Sequence, residues 1–110
     1  MARMNKLIRD GQVAVIYSPS YGAGWSTWNS EYGDDLLFDP GIADLVLARA
    51  AGELPEELEA YITLKYPNAY QGGVRSLEVK WVPEGTQFRI EEHDGSETII
   101  LFGEDDWITA

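Results

Sequence analysis

From Leu77 to Phe102 the sequence runs through three short alternating segments separated by turn residues, and this stretch constrains the fold more than any other. Leu77, Val79 and Trp81 alternate with Glu78 and Lys80. Pro83-Glu84-Gly85 then turns the chain. Phe88, Ile90 and Glu92 alternate with Arg89, Glu91 and His93. Asp94-Gly95 follows, a pair that readily supplies two left-handed residues to a two-residue hairpin. Thr98 to Phe102 forms the third run. Beyond Gly103-Glu104-Asp105-Asp106, Trp107-Ile108 is placed to close a sheet edge. A period of two sustained over three runs predicts an antiparallel meander with one buried face.

Upstream, Gln12 to Tyr17 is apolar and rich in β-formers, which predicts a central strand. Asp39-Pro40 reads as a helix start, with Asp39 capping the free amides and Pro40 at the first helical position. Ile42, Leu45, Val46 and Arg49 follow at helical spacing, and Gly52 is placed to end that helix. A second helix starts at Leu54-Pro55-Glu56-Glu57, continues through Leu58, Tyr61, Ile62 and Lys65, and stops at Pro67. The expected fold class is α+β: a single mostly antiparallel sheet, built from the N-terminal strand and the 76–102 meander, with two helices on one face near 40–51 and 55–66. Val15, Leu45, Val46, Leu58, Ile62, Val79, Trp81, Phe88, Ile90 and Ile100 are the expected core. With 110 residues the chain has the size of one domain. That domain is expected over 12–110, preceded by a weakly ordered basic arm over 1–11 that ends at the Asp10-Gly11 turn.

The chain has no cysteine, which excludes disulfides, thiolate metal sites and thiol nucleophiles and suits a reducing compartment. Its longest apolar stretch, Val13 to Tyr17, falls far short of the ~20 residues of a membrane span. The expected location is therefore the cytoplasm, with no membrane contact. Net charge is −11, and the bases Arg3, Lys6 and Arg9 all precede the first acid, Asp10. From Asp10 onward five bases face 19 acids. Such a field repels phosphate backbones, so direct nucleic-acid binding is not expected. It attracts basic proteins.

Two groups of residues are candidate sites. The first is the stretch Tyr17 to Asn29, which sets hydroxyls, glycines and aromatics directly after the central strand. Glycines permit close backbone approach, hydroxyls give adaptable hydrogen bonds and tryptophans give stacking area. Ser20, Tyr21, Trp25, Ser26, Thr27 and Trp28 are its candidate ligand- or partner-binding residues. The competing reading makes Trp25 and Trp28 a core plug beneath a glycine-bent loop. Gly22-Ala23-Gly24 lacks the third glycine of a dinucleotide fingerprint, and no phosphate-loop lysine is present. No cofactor and no metal ion is expected.

The second group is acidic: Asp34, Asp35, Glu91, Glu92, Asp94, Glu104, Asp105 and Asp106 fall at predicted turns and could share a face that docks on a basic protein or mimics phosphates. His93 is the one histidine, and at a hairpin tip it reads as a solvated residue. The paired carboxylates leave carboxylate-dependent catalysis as a further class, although adjacent strand residues such as Glu91 and Glu92 face opposite ways. The expected function is that of an acidic, non-catalytic protein that binds a basic protein partner. Small-molecule binding through loop 17–29 is the alternative, and a small carboxylate enzyme the second.

The run Ile16 to Trp28, and the run from Lys65-Tyr66-Pro67 through Gly72-Gly73 to Phe88-Arg89-Ile90, resemble small acidic proteins of unassigned function in bacteria and their phages. The resemblance brings no activity and no site residues with it. It implies a phage or prophage accessory role, such as an inhibitor that binds and blocks a host factor.

Overall fold

The computed structural model describes residues 6–20, 24–29, 31–49, 56–71, 74–101 and 108–109. Within them the chain is α+β, with three helices and antiparallel sheets. β1 (Ile8–Arg9) turns through Asp10 and Gly11 into β2 (Gln12–Tyr17). Both turn residues have positive φ, +52° and +76°, as a tight right-twisted hairpin requires. The end of the basic arm thus adds an edge strand, with Ile8 opposite Val13. β3 (Glu78–Pro83) lies antiparallel on the other side of β2, from Gln12 opposite Pro83 to Tyr17 opposite Glu78.

β4 (Gln87–His93) and β5 (Ser96–Leu101) form the hairpin that Asp94-Gly95 predicts, with φ of +50° and +87° at the turn. β6 (Ile108–Thr109) pairs with the far edge of β4. The described strands therefore make two sheets, β1-β2-β3 and β5-β4-β6, where the sequence pattern predicted one. The reason lies in β2. Val13, Ala14, Val15 and Ile16 are all fully buried, so both faces of that strand are apolar and each needs a cover. Ala14 and Ile16 share a core with the helices, whereas Val13 and Val15 pack with Val82, Phe88 and Ile99. A flat meander beside β2 would leave one of those faces in water. Folding the 87–101 hairpin over it removes the exposure.

The helices are α1 (Gly33–Phe38), α2 (Pro40–Ala48) and α3 (Glu56–Lys65). α1 falls where the sequence pattern predicted no helix, and it buries Leu36, Leu37 and Phe38. α2 starts as predicted, with Asp39 Oδ1 accepting from the Ile42 amide at 2.9 Å and Pro40 in the first turn. It ends at Ala48, before the expected limit; Gly52 and Pro55 lie outside the described residues. Of the expected core, Val15, Val46, Leu58, Ile62 and Phe88 are buried, while Leu45, Val79, Trp81, Ile90 and Ile100 are half-buried. Trp25, Phe38 and Leu77, outside that expected core, are buried as well. No described helix is long and apolar enough to cross a membrane.

Candidate functional site

The loop after β2 is held by one carboxylate. Glu97, on β5, is 1% exposed. Its Oε1 accepts from the Ser18 amide at 3.0 Å. Its Oε2 accepts from the Trp25 amide at 2.9 Å, the Thr27 amide at 3.0 Å and the Thr27 hydroxyl at 2.6 Å. The Glu97 amide donates in turn to Ser18 O at 2.7 Å. A buried carboxylate is costly unless its lone pairs are engaged, and here four donors engage them. Nothing local in the sequence marks Glu97, because its partners lie 70 to 79 residues away.

This clamp sends the two tryptophans of the loop to different environments. Trp25 is fully buried, and its indole N–H donates to Leu36 O at 3.2 Å, so the core-plug reading holds for it. Trp28 ends a short 3-10 turn (Ser26–Trp28) and is 40% exposed. Its ring lies so near Gly24 that a Cβ there would sit 2.5 Å from the indole. Among the other loop candidates, Ser26 is buried, Ser20 and Thr27 are exposed, and Tyr21 lies outside the described residues.

Beyond the turn, the Asn29 side chain locks the loop to the segment after α3. Its Oδ1 accepts from the Tyr70 amide at 2.6 Å, and its Nδ2 donates to Tyr70 O at 3.1 Å and Trp25 O at 2.9 Å. The Trp28 and Tyr70 rings meet at 5.1 Å between centroids with a 55° tilt. Tyr32 stands edge-on to Tyr66 and donates its hydroxyl to Pro67 O at 2.8 Å. Trp28, Asn29, Glu31, Tyr32, Asn68 and Tyr70 together line an open groove of about 420 Å³ whose one charged wall residue is Glu31. The sequence pattern marks Trp28, with Tyr66 and Tyr70 as the other aromatic anchor, but neither the meeting of Trp28 with Tyr70 nor Glu31 and Asn68 beside them.

Tyr66, which packs against Tyr32, reaches Asp39, a residue 3% exposed that gathers four donors. Besides the Ile42 amide these are Tyr61 at 2.9 Å, Tyr66 at 2.5 Å and Lys65 at 2.8 Å. Burial opposes ionisation of Asp39, but the hydrogen bonds from Lys65, Tyr66, Ile42 and Tyr61 outweigh it and hold the carboxyl below its ordinary range. Burial, and then the bond to Asp39, pushes the Tyr66 hydroxyl well up. The bond to Asp39 also raises the Lys65 ammonium. Lys65 thus stays charged, with its ammonium paired to Asp39.

The acidic candidates are exposed and largely engaged locally. Glu91 pairs with Arg89 at 2.5 Å, Glu92 accepts from the Gly95 amide at 2.7 Å, and Asp94 lies 3.6 Å from His93. Asp34 and Asp35 occupy the first turn of α1. Asp34 and Arg89, with Ser26, Thr27 and Leu37 among others, line a second cavity of about 250 Å³, so the structure brings Asp34 near the Arg89–Glu91 pair. Glu104, Asp105 and Asp106 lie outside the described residues.

No protein-family model matches the chain, and neither a curated protein nor a solved structure matches it.

Proposed function

We propose that the domain is a non-catalytic binding protein whose acidic surface meets a basic protein partner, with the Trp28–Tyr70 groove as the anchor of the contact. The observation that carries this reading is the groove itself: an exposed tryptophan packed on a tyrosine, beside a carboxylate, on a chain of net charge −11. Charge gives attraction and speed of encounter, while a partly exposed aromatic supplies the apolar area that makes a contact specific. The cysteine-free composition suits a reducing cytoplasm, and blocking a host factor on behalf of a phage or prophage is the biological form this reading takes. A second reading, small-molecule binding beside the 17–29 loop, is favoured by the cavity that Ser26 and Thr27 line with Asp34 and Arg89.

The test is affinity capture from cell extract at low and high salt, identification of the captured protein, and calorimetric titration of that purified protein. A basic partner whose affinity falls as salt rises, and falls again with Trp28→Ala, is the expected result. Capture of no basic protein at low salt, or binding indifferent to both salt and Trp28, defeats the proposal.

A further inference from the structure

The geometry points to an arginine side chain of the partner as the group that enters the groove, its guanidinium lying across the Trp28 and Tyr70 rings with its N–H donors turned to Glu31; this rests on the reading of the domain as a binder of basic proteins and names the residue that is bound.

Three observations carry it. The first is which lining groups remain to recognise a guest. Asn29 has its oxygen and its amide nitrogen committed to Tyr70 and Trp25, and the Tyr32 hydroxyl is committed to Pro67. The Glu31 carboxylate, the Asn68 amide, the Trp28 indole N–H and the Tyr70 hydroxyl are the lining groups that bond to no other described residue, and Glu31 is the one charge among them. A phosphate or carboxylate guest would be repelled by Glu31. A neutral guest such as a sugar can donate hydroxyls to Glu31 but brings no counter-charge. A cation supplies it.

The second is shape. Holding a group between two rings takes about 3.5 Å of contact distance on each side. The Trp28 and Tyr70 centroids are only 5.1 Å apart, so a guest lies across their outer surfaces, not between them. A flat guanidinium covers such a surface and still donates in its own plane to a carboxylate beside the ring. A round ammonium covers less of it.

The third is that the chain already builds this arrangement once with its own arginine. Arg9 sits 5.8 Å over the Trp81 ring while its Nη2 pairs with Asp44 at 3.1 Å. Trp28 and Glu31 likewise set an indole ring and a carboxylate on the wall of one groove. The basic side chains that the described residues place over rings go elsewhere: Lys6 to Phe38, Arg9 to Trp81, and Lys65 to Tyr61 and Tyr66.

The experiment is a 15N–1H NMR titration of the full chain with three capped pentapeptides that are identical except at the central position. That position holds arginine, lysine or citrulline, the last being planar but uncharged. The arginine peptide is expected to shift the Trp28 indole N–H and the Glu31, Asn68 and Tyr70 amides, with an affinity roughly fivefold above the lysine peptide. The citrulline peptide is expected to bind more weakly than arginine, and Glu31→Gln to narrow the gap between those two. Because the comparison varies the peptide on the unaltered protein, it does not depend on any variant folding. Equal binding of the arginine and lysine peptides, or shifts confined to residues outside the groove, overturns the inference while leaving a basic partner in place. Salt-dependent binding of no basic peptide and no basic protein overturns the proposed function together with it.

Discussion

The side chain of Asn29 pairs with the backbone of Tyr70 as one strand pairs with another, accepting from its N–H at 2.6 Å and donating to its C=O at 3.1 Å. One amide thereby fixes the spacing of the two aromatic walls of the groove. Asn29→Ala removes these bonds and leaves polar backbone groups without partners, so it should cost about 2 kcal/mol in urea unfolding. Asn29→Asp keeps the shape but sets oxygens against the carbonyls of Trp25 and Tyr70. It should be at least as damaging above about pH 5, where the new carboxyl is ionised. An Asn29→Asp protein as stable as the parent would contradict this assignment.

Glu97 should tolerate no replacement that retains only one acceptor oxygen. In Glu97→Gln the new NH₂ must face either the Ser18 amide or the Trp25 and Thr27 donors, all of which need an acceptor. The expected loss is about 2–3 kcal/mol, since buried donors are left unmet. Hydrogen exchange at the Trp25 and Thr27 amides should accelerate more than at amides of α2. Equal acceleration everywhere would mean that Glu97 supports the whole fold and not this loop in particular.

Asp39 makes stability depend on acidity in a defined direction. Its folded pKa is lowered, so its contribution is fully present above the unfolded carboxylate value of about 3.9 and is lost as pH falls through the lower folded value. Asp39→Asn should remove that component of the acid-unfolding curve. At neutral pH it should cost about 1–2 kcal/mol, through a weaker cap and the lost charge pairing with Lys65. Thermal melts of both proteins from pH 2 to 7 check this; parallel curves would show that Asp39 does not set the acid limb.

Gly24→Ala should act on the groove from behind. The added Cβ would lie 2.5 Å from the Trp28 ring, so the indole must move. We expect about 1–2 kcal/mol of destabilisation, a change in Trp28 accessibility to acrylamide quenching, and weaker binding of a basic partner. Unchanged quenching would show that the ring does not pack on Gly24.

What the sequence made legible was local. Asp94-Gly95 announced its turn because few other pairs place two successive residues at positive φ without strain. Asp39-Pro40 announced α2 because a cap and its proline lie side by side. The burial of β2 was readable from its composition, but not that both its faces would be covered by different layers, since alternation reports only one neighbour at a time. α1 was hidden because Gly33 and two aspartates precede only three apolar residues. At the groove, Trp28 and Tyr70 could each be named as an aromatic anchor, but not their contact, nor Glu31 and Asn68 beside it. The pairing of Asn29 with Tyr70 spans 41 positions, and no residue between them signals it.

The clamp at Glu97 also sets an order of events. Ser18, Trp25 and Thr27 leave the ribosome long before position 97 is made, and at ordinary synthesis rates the interval is several seconds. During that time the loop has no carboxylate to close on, and Trp25 has only part of its final surroundings. The aromatic groove therefore waits for the β4–β5 hairpin, which brings Glu97 to the loop. A chain interrupted between residues 71 and 96 keeps Trp28 and Tyr70 but loses the carboxylate that holds the loop bearing Trp28 in place, so the capacity to bind waits on the making of position 97.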